Sequence, residues 1–556
     1  MKRLVTLVVI GACATTAAQA TTPTADALYV QPYESRAGNA RFLAKFDLRR
    51  LAAKGEKPPL TLLVESESGP VTLRDDGRGG DERAGDGLYT GLGKFDFKAL
   101  VERTRRIEKW QAEFGEKAAP PRFRDRALVG FQRFVDSDKL MELIKAGELI
   151  PLPPLGIPVA IDPERSLVIR DPSVVEDPTR THDRCTGGNP DGAWSFKRLV
   201  TAMANPPVTG ITPETFVRMW LNTWETDQVI NGWTVTNRAA SIRNLIIDPW
   251  EARSGGPGQP LDLNQHPFKL IAIVNRIDLR DNAAYAPASA GEGRFVFQVM
   301  DDQCNPTHFT VIFEYGIDKN SCQAIKDWGQ QWADLSSLPL GSPAYNATLQ
   351  AITDQFTSAG AAPHKPNGSA LNQIRTNEIA LGIPLGFPWE MREFVISANG
   401  WDTHLLRPNT VAETPDISLN GTPILRDFVN SGATGVPLRF PTLADPFRGG
   451  SALVDPPGFF WDAPGISPRD RRHRFSLNTC NGCHAGETAT LFTHIKPGIP
   501  PVPLSGFMTG IDVDDPADSA PTRHFDELTR RAADLDALLN NSCLVQVQVP
   551  ILTAPH

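Results

Sequence analysis

Apolar and polar positions alternate in short bursts early in the chain and give way to mixed periodicities further on. Ala40–Leu48 and Leu60–Glu65 carry the period-two pattern of strands. The charge-rich stretch Phe97–Phe114 places Leu100, Val101, Ile107 and Trp110 on one helical face. Ala118-Ala119-Pro120-Pro121 breaks that helix, and Ser137–Ile144 starts another. Ile150-Pro151-Leu152-Pro153-Pro154-Leu155 reads as a stiff extended linker. Ser195–Met203 is helical in pattern. Thr212-Pro213-Glu214 is a helix start, with Thr as N-cap and Pro at the first helical position. Phe216, Met219, Trp220 and Trp224 follow at helical spacing, the stripe of a helix packed on a core. Strands are expected at Phe268–Ile277, Arg294–Met300, Phe309–Tyr315 and Arg392–Ser397, and helices at Cys322–Leu335, Tyr345–Phe356 and Ala370–Leu381. Phe525–Leu539 is amphipathic, with Leu528, Leu535, Leu538 and Leu539 near one face. The class is multidomain α+β. A β-rich module covers 21–97, a helical, Pro-rich connector 98–160, a central α+β domain with an antiparallel sheet 161–464, and a mostly helical domain 465–556.

Length and composition agree with several packed domains: 556 residues of ordinary apolar and charged content can bury a large core. The net charge of −8 offers no basic field to recruit phosphates, so nucleic acid is not expected as a partner. Residues 1–20 read as an export signal: Lys2 and Arg3, an apolar run from Leu4 to Ala14 too short to span a bilayer, and an A-x-A site at Ala18-Gln19-Ala20. Ile10-Gly11-Ala12-Cys13 resembles a bacterial lipobox. Cleavage there leaves a lipidated Cys13 and an outer-membrane lipoprotein, whereas cleavage after Ala20 leaves a periplasmic or extracellular protein. No other apolar run reaches spanning length.

The specific chemistry lies in Cys480-Asn481-Gly482-Cys483-His484. This is C-x-x-C-H, the attachment signature of c-type haem. Two thiols two residues apart each form a thioether to one vinyl of a single haem, and the following imidazole is the proximal ligand to iron. Asn481-Gly482 between them makes a compact turn. A structural zinc site needs a second ligand pair, and none follows here. A thioredoxin-like pair needs a surrounding βαβ unit, which is also missing from the pattern. The segment 465–556 resembles c-type cytochromes, with Phe475 and Leu477 on a short entry helix and Phe525–Leu539 as the C-terminal helix. The entry segment departs from that pattern: Arg469, Arg471, Arg472 and Arg474 crowd it, either pairing haem propionates or an acidic redox partner, or forming a solvated basic face. The chain as a whole resembles large bacterial exported proteins with one haem motif near the C-terminus. The resemblance implies one covalent haem c, a redox partner protein outside the cytoplasm, and electron transfer. An open distal side instead implies a peroxidase- or oxygenase-like haem enzyme, and a fully buried haem implies a binding protein with a structural or sensory haem.

Met508 is the distal-ligand candidate that suits electron transfer, and His494 is its rival. Apart from Cys13 and the motif pair, Cys185, Cys304, Cys322 and Cys543 remain for disulfides. Three pairings are open, and a local Cys304–Cys322 closure would leave Cys185 with Cys543. The stretch Asp75–Thr90, rich in Gly and Asp, resembles the turn of small Ig-like sandwich modules of exported proteins. Asp75, Asp76, Asp81 and Asp86 serve there as turn caps or as calcium ligands, although the EF-hand spacing is absent. The central region carries no G-x-S-x-G, H-E-x-x-H, G-x-x-x-x-G-K-S/T or G-x-G-x-x-G motif. Arg276 with Asp278 reads as a structural ion pair at a sheet edge or, as the alternative, a cleft-lining pair, and Arg375, Glu378, Trp389 and Glu390 carry the same two readings. His182, His266, His308, His364 and His404 lack metal spacing.

Overall fold

A computed structural model describes residues 27–540, apart from 34–38, 54–56, 106–136, 153–160, 281–288, 380–388, 519–521 and scattered single or paired positions. The stretch 1–20 expected to be an export signal, Cys13 and Cys543 lie outside the described residues, as does most of the helix expected at 97–114. Both helices and antiparallel sheets are present, so the chain is a mixed α+β protein. It divides into two compact units, Met1–Ile161 with Ala533–Pro550, and Asp162–Ala532 with Ile551–His556. No helix among the described residues is long and apolar enough to cross a membrane.

In the first unit, β1 (Ala27–Pro32), β2 (Asn39–Lys45), β3 (Leu62–Ser66), β4 (Gly69–Leu73), β5 (Leu88–Lys94) and β6 (Ile150–Leu152) form two antiparallel sheets. One has the order β5-β2-β1-β6 and the other is the β3-β4 hairpin. Leu28, Val30, Phe42, Ala44, Leu73 and Tyr89 share a core with Leu140 of α1 (Ser137–Ala146). The first three residues of the stretch expected to be a stiff linker form β6, where Pro151 faces Tyr29 of β1, and the rest of it lies outside the described residues. An edge strand tolerates proline because one side of it has no ladder to supply.

The second unit is built on a seven-strand meander of β7 (Val168–Ile169), β8 (Phe268–Arg276), β9 (Glu292–Met300), β10 (Pro306–Gly316), β11 (Leu371–Ile379), β12 (Trp389–Ile396) and β13 (Leu406–Asn409). The order is β13-β12-β11-β10-β9-β8-β7, and β14 (Ala452–Val454) pairs beside β12. Every residue of β8 and β9 is buried, so both faces of this antiparallel sheet are covered. One face is aromatic. Phe268, Phe297, Phe313 and Phe394 pack with Phe196 of α2 (Phe196–Ala204) and with Trp220 and Trp224, the stripe expected on α3 (Pro213–Asn222). Thr212 caps α3 by accepting from the Thr215 amide, as its sequence predicts. The helices α4 (Cys322–Asp334) and α5 (Pro343–Thr357) also form where expected.

Two expectations fail here. Leu371–Ile379 is a central strand, not a helix. Its apolar residues mimic a helical period because the positions facing one side, Gln373, Arg375 and Asn377, are polar yet buried against charges on neighbouring strands. The disulfide is Cys185–Cys304, with Cα atoms 5.9 Å apart, not Cys304–Cys322. Cys304 sits at positive φ in the turn between β9 and β10, and Asp183 accepts from the Cys185 and Thr186 amides to hold the facing turn. The sheet brings together residues 119 positions apart, a proximity that spacing cannot reveal. Cys322 opens α4 instead.

Candidate functional site

The C-x-x-C-H run begins as a single helical turn, Cys480–Cys483, directly after the helix Arg469–Leu477 (α6). Thr479 caps the turn: its hydroxyl donates to the Ser476 carbonyl (2.7 Å) and accepts from the Gly482 amide (3.1 Å). The two intervening residues are fully committed. Asn481 accepts from Trp461 Nε1 at 2.8 Å and donates to the Leu453 carbonyl at 3.1 Å. A Cβ on Gly482 would lie 2.0 Å from the Ser476 carbonyl oxygen. Cys480 belongs to an apolar cluster with Trp389, Met391, Phe428, Trp461 and Ala485.

Both thiols are buried and neither is in a disulfide. Burial pushes the Cys480 thiol up to about 12 and that of Cys483 well above its usual range. Neither is the exposed, low-pKa thiolate of a redox-active pair. His484 stacks on Trp389, with ring centroids 5.1 Å apart and planes at 13°. The ring of His494 lies 4.3 Å from that of His484. Its Nδ1 is 2.8 Å from Ser505 Oγ and its Nε2 is 3.4 Å from Cys483 Sγ.

A cavity opens beside this segment. His484, His494 and Met508 line it, with Val168, Val274, Val296, Ile312, Met391 and Ile495. A narrow loop delivers His494 and Met508 together. Ser505 N donates to the His494 carbonyl and Lys496 N to the Pro503 carbonyl, closing the Pro-rich segment between them. The loop is tied to the sheet by paired hydrogen bonds between Gln298 and Gly498, and by Arg170 donating to the Val502 carbonyl. Met508 follows on the turn Gly506–Thr509.

The polar wall of the cavity comes from the central sheet and the last helix: Arg276, Arg294, Thr310, Glu314, Arg375, Asn377 and Arg531. On the sheet, charges alternate in a row. Arg294 meets Glu292 (2.6 Å) and Glu314 (3.2 Å), and Arg375 meets Glu314 (3.2 Å) and Glu393 (2.9 Å). Arg276 forks onto Asp278 with two 3.0 Å bonds, and Arg530 donates to the same carboxylate at 3.1 Å. Both members of the Arg276–Asp278 pair are buried, and Arg276 lines the cavity. The cluster at 469–474 supplies nothing to the cavity. Arg469 pairs with Asp462 and Asp518, and Arg471 donates to the Asn430 carbonyl. Arg472 is buried between Glu487 and Asp515.

These carboxylates set an acid limit. Burial raises the Glu527 pKa, but Arg530 and Arg531 outweigh burial and bring it to about 2; against the same effect of burial, arginines hold Asp278 and Glu292 below their usual range, and His473 with Arg472 does so for Glu487. A group with a depressed folded pKa stabilises fully above its unfolded value and loses that contribution as pH falls through its folded value. For Glu527 the interval corresponds to roughly 3 kcal/mol. The denaturation midpoint should therefore fall steeply between about pH 4.5 and 2. Glu527→Gln should lower the midpoint at pH 7 and flatten the acid limb. A wild-type midpoint constant across that interval contradicts the assignment.

The aspartate turn lies in the first unit. Ligand atoms of Asp75, Asp81 and Asp86 lie within 4.8 Å of one another, and Asp76 is not in that group. The carboxylates accept main-chain amides: Asp75 from Gly85, Asp86 and Gly87, Asp81 from Gly77 and Arg83, Asp76 from Arg78, and Asp86 from Leu88. His473, Glu487 and Asp515 form the other convergent group among the described residues, and Arg472 occupies its two carboxylates. His266 is a buried core histidine, its pKa brought down to about 3 chiefly by burial.

Sequence reasoning singled out Arg276 and Arg375 but missed the rest of the cavity wall. The available signal was a charge inside an otherwise apolar strand, as at Glu292, Arg294, Glu314 and Arg375. Compared with family models, curated proteins and solved structures, the chain matches none of them.

Proposed function

We propose that the chain is an electron-transfer protein carrying one covalent haem c on Cys480 and Cys483, with His484 as proximal ligand and Met508 as distal ligand. The observation that carries this reading is that His484 and Met508 line one cavity, beside the buried thiol pair. Its lining sets apolar side chains from the sheet beside fixed polar groups, the mixture found in cofactor sites. The donor set fits as well. Among the described residues, Cys480, Cys483 and His484 are not among the groups whose ligand atoms converge within 4.8 Å. A zinc site needs such convergence. Haem c does not, because the thiols bond the porphyrin edge and the imidazole its centre. When bound, the group supplies a one-electron centre.

The chain's own residues do the rest. Trp389 fixes the plane of the His484 ring, and the Asn481–Trp461 and Thr479–Ser476 hydrogen bonds fix the turn that bears the thiols. Met508 is favoured over His494 because His494 is engaged beside His484, between Ser505 and Cys483. The polar wall supports a second reading, a haem enzyme acting on a small polar substrate at an open iron. One variant separates the two. Met508→Ala is expected to abolish the sulfur-to-iron charge-transfer band and to raise carbon monoxide affinity by at least about tenfold, as loss of an axial ligand requires. A wild-type protein that is high-spin and already binds carbon monoxide readily overturns the electron-transfer reading in favour of the enzyme.

A further inference from the structure

The charged row on the cavity's sheet wall is unequal. Across β9, β10, β11 and β12 it sets three carboxylates, Glu292, Glu314 and Glu393, against two guanidiniums, Arg294 and Arg375. All five side chains are buried. The outer acids each have further donors: Asn372 donates to Glu292 at 2.9 Å, and Asn409 to Glu393 at 2.8 Å. Glu314 bridges both arginines at 3.2 Å, receives Gln373 at 2.6 Å, and lines the cavity together with Arg294 and Arg375.

A carboxylate held symmetrically between two guanidiniums, at the wall of a cavity, occupies the place a ligand carboxylate would take. We infer that Arg294 and Arg375 form a carboxylate-binding site in this cavity, and that Glu314 is the internal carboxylate a ligand displaces from it. Arg276 and Arg531 serve this role less well. They face Asp278 and Glu527, which are enclosed by Arg530 as well and remain firmly ionised, so no single member of that cluster is easily released. Glu314 differs. Burial and the neighbouring Glu292 raise its pKa in spite of both arginines, whereas that of Glu292 is lowered, so Glu314 gives up its charge more readily than Glu292. His484 and His494 line the same cavity, with Arg276 and Arg531 as its other charged groups.

On the haem reading, on which only the ligand's identity rests, the displaced carboxylate makes way for a haem propionate. The same chemistry fits a free small dicarboxylate. The test uses the full-length chain with Cys480→Ala and Cys483→Ala, so that binding is reversible, with and without Glu314→Gln, which keeps the shape and removes the charge. Haemin, haemin dimethyl ester and succinate are titrated, followed by absorbance and calorimetry. Haemin is expected to bind about tenfold more tightly than its ester, as one charge-assisted contact requires, and Glu314→Gln should tighten haemin alone by a similar factor. Succinate binding that Glu314→Gln strengthens, with no haemin binding, would keep the carboxylate site and give it a free dicarboxylate as ligand in place of a propionate. Equal binding of haemin and ester in both chains would overturn the carboxylate site and leave the haem reading standing. Binding of none of the three would overturn the carboxylate site.

Discussion

Arg472→Leu is expected to destabilise the second unit by about 3–5 kcal/mol and to abolish haem attachment. The Arg472 guanidinium is fully buried. It donates to both Glu487 oxygens at 2.8 Å, to Asp515 at 2.8 Å and to the Trp461 carbonyl at 3.1 Å. His473 Nδ1 hydrogen-bonds the same Glu487 carboxylate. Removing the cation leaves two buried carboxylates facing one another, and the cost is that of uncompensated charge. Glu487 lies three residues beyond His484, so the network also anchors the segment that presents the imidazole. Urea titration at pH 7 measures the effect. Arg469→Ala serves as the contrast: its pairs with Asp462 and Asp518 are half-exposed, and about 0–1 kcal/mol is expected. Equal effects of the two substitutions would contradict the role given to Arg472.

Gly482→Ala is expected to cost about 3 kcal/mol, the upper part of the range for overpacking. Adding one methyl is usually mild, but here it meets backbone. The new Cβ would lie 2.0 Å from the Ser476 carbonyl oxygen and 2.7 Å from its carbon, and neither can rotate away. Relief requires the Cys480–Cys483 turn to lift from the end of α6. That movement breaks the Thr479 cap and shifts both thiols relative to His484. The variant should therefore unfold at lower urea and carry much less covalent haem, whereas Asn478→Ala, just outside the turn, should attach haem normally. Full haem loading with an unchanged midpoint in Gly482→Ala would show that the turn does not pack as described.

Gly482 also marks the limit of what the sequence can show. The C-x-x-C-H run is legible because its chemistry depends on residue type and spacing alone. The two intervening positions read as a permissive turn, yet a close approach to residue 476 and a bond to Trp461 fix them, and both are tertiary facts. Helix starts such as Thr212-Pro213 were legible because caps are local. The strand Leu371–Ile379 was not. A strand whose polar side is buried against Glu314 and Glu393 loses the alternation that identifies strands. The cavity wall was hidden for the same reason: Arg294 and Arg375 belong to strands far before the motif, and only the folded sheet carries them to His484. The Cys185–Cys304 bridge is a third such case, set by where two turns meet and not by spacing.

Covalent attachment is the most direct test. The full-length protein is to be produced together with haem-attachment machinery, and its absorption spectrum recorded oxidised and reduced, before and after acid–acetone extraction. Haem that stays with the protein through extraction, and is lost when Cys480 and Cys483 are both replaced by alanine, is the predicted result. A protein that yields no haem, or that releases all of it to acetone, contradicts thioether attachment at the C-x-x-C-H turn and the function proposed from it.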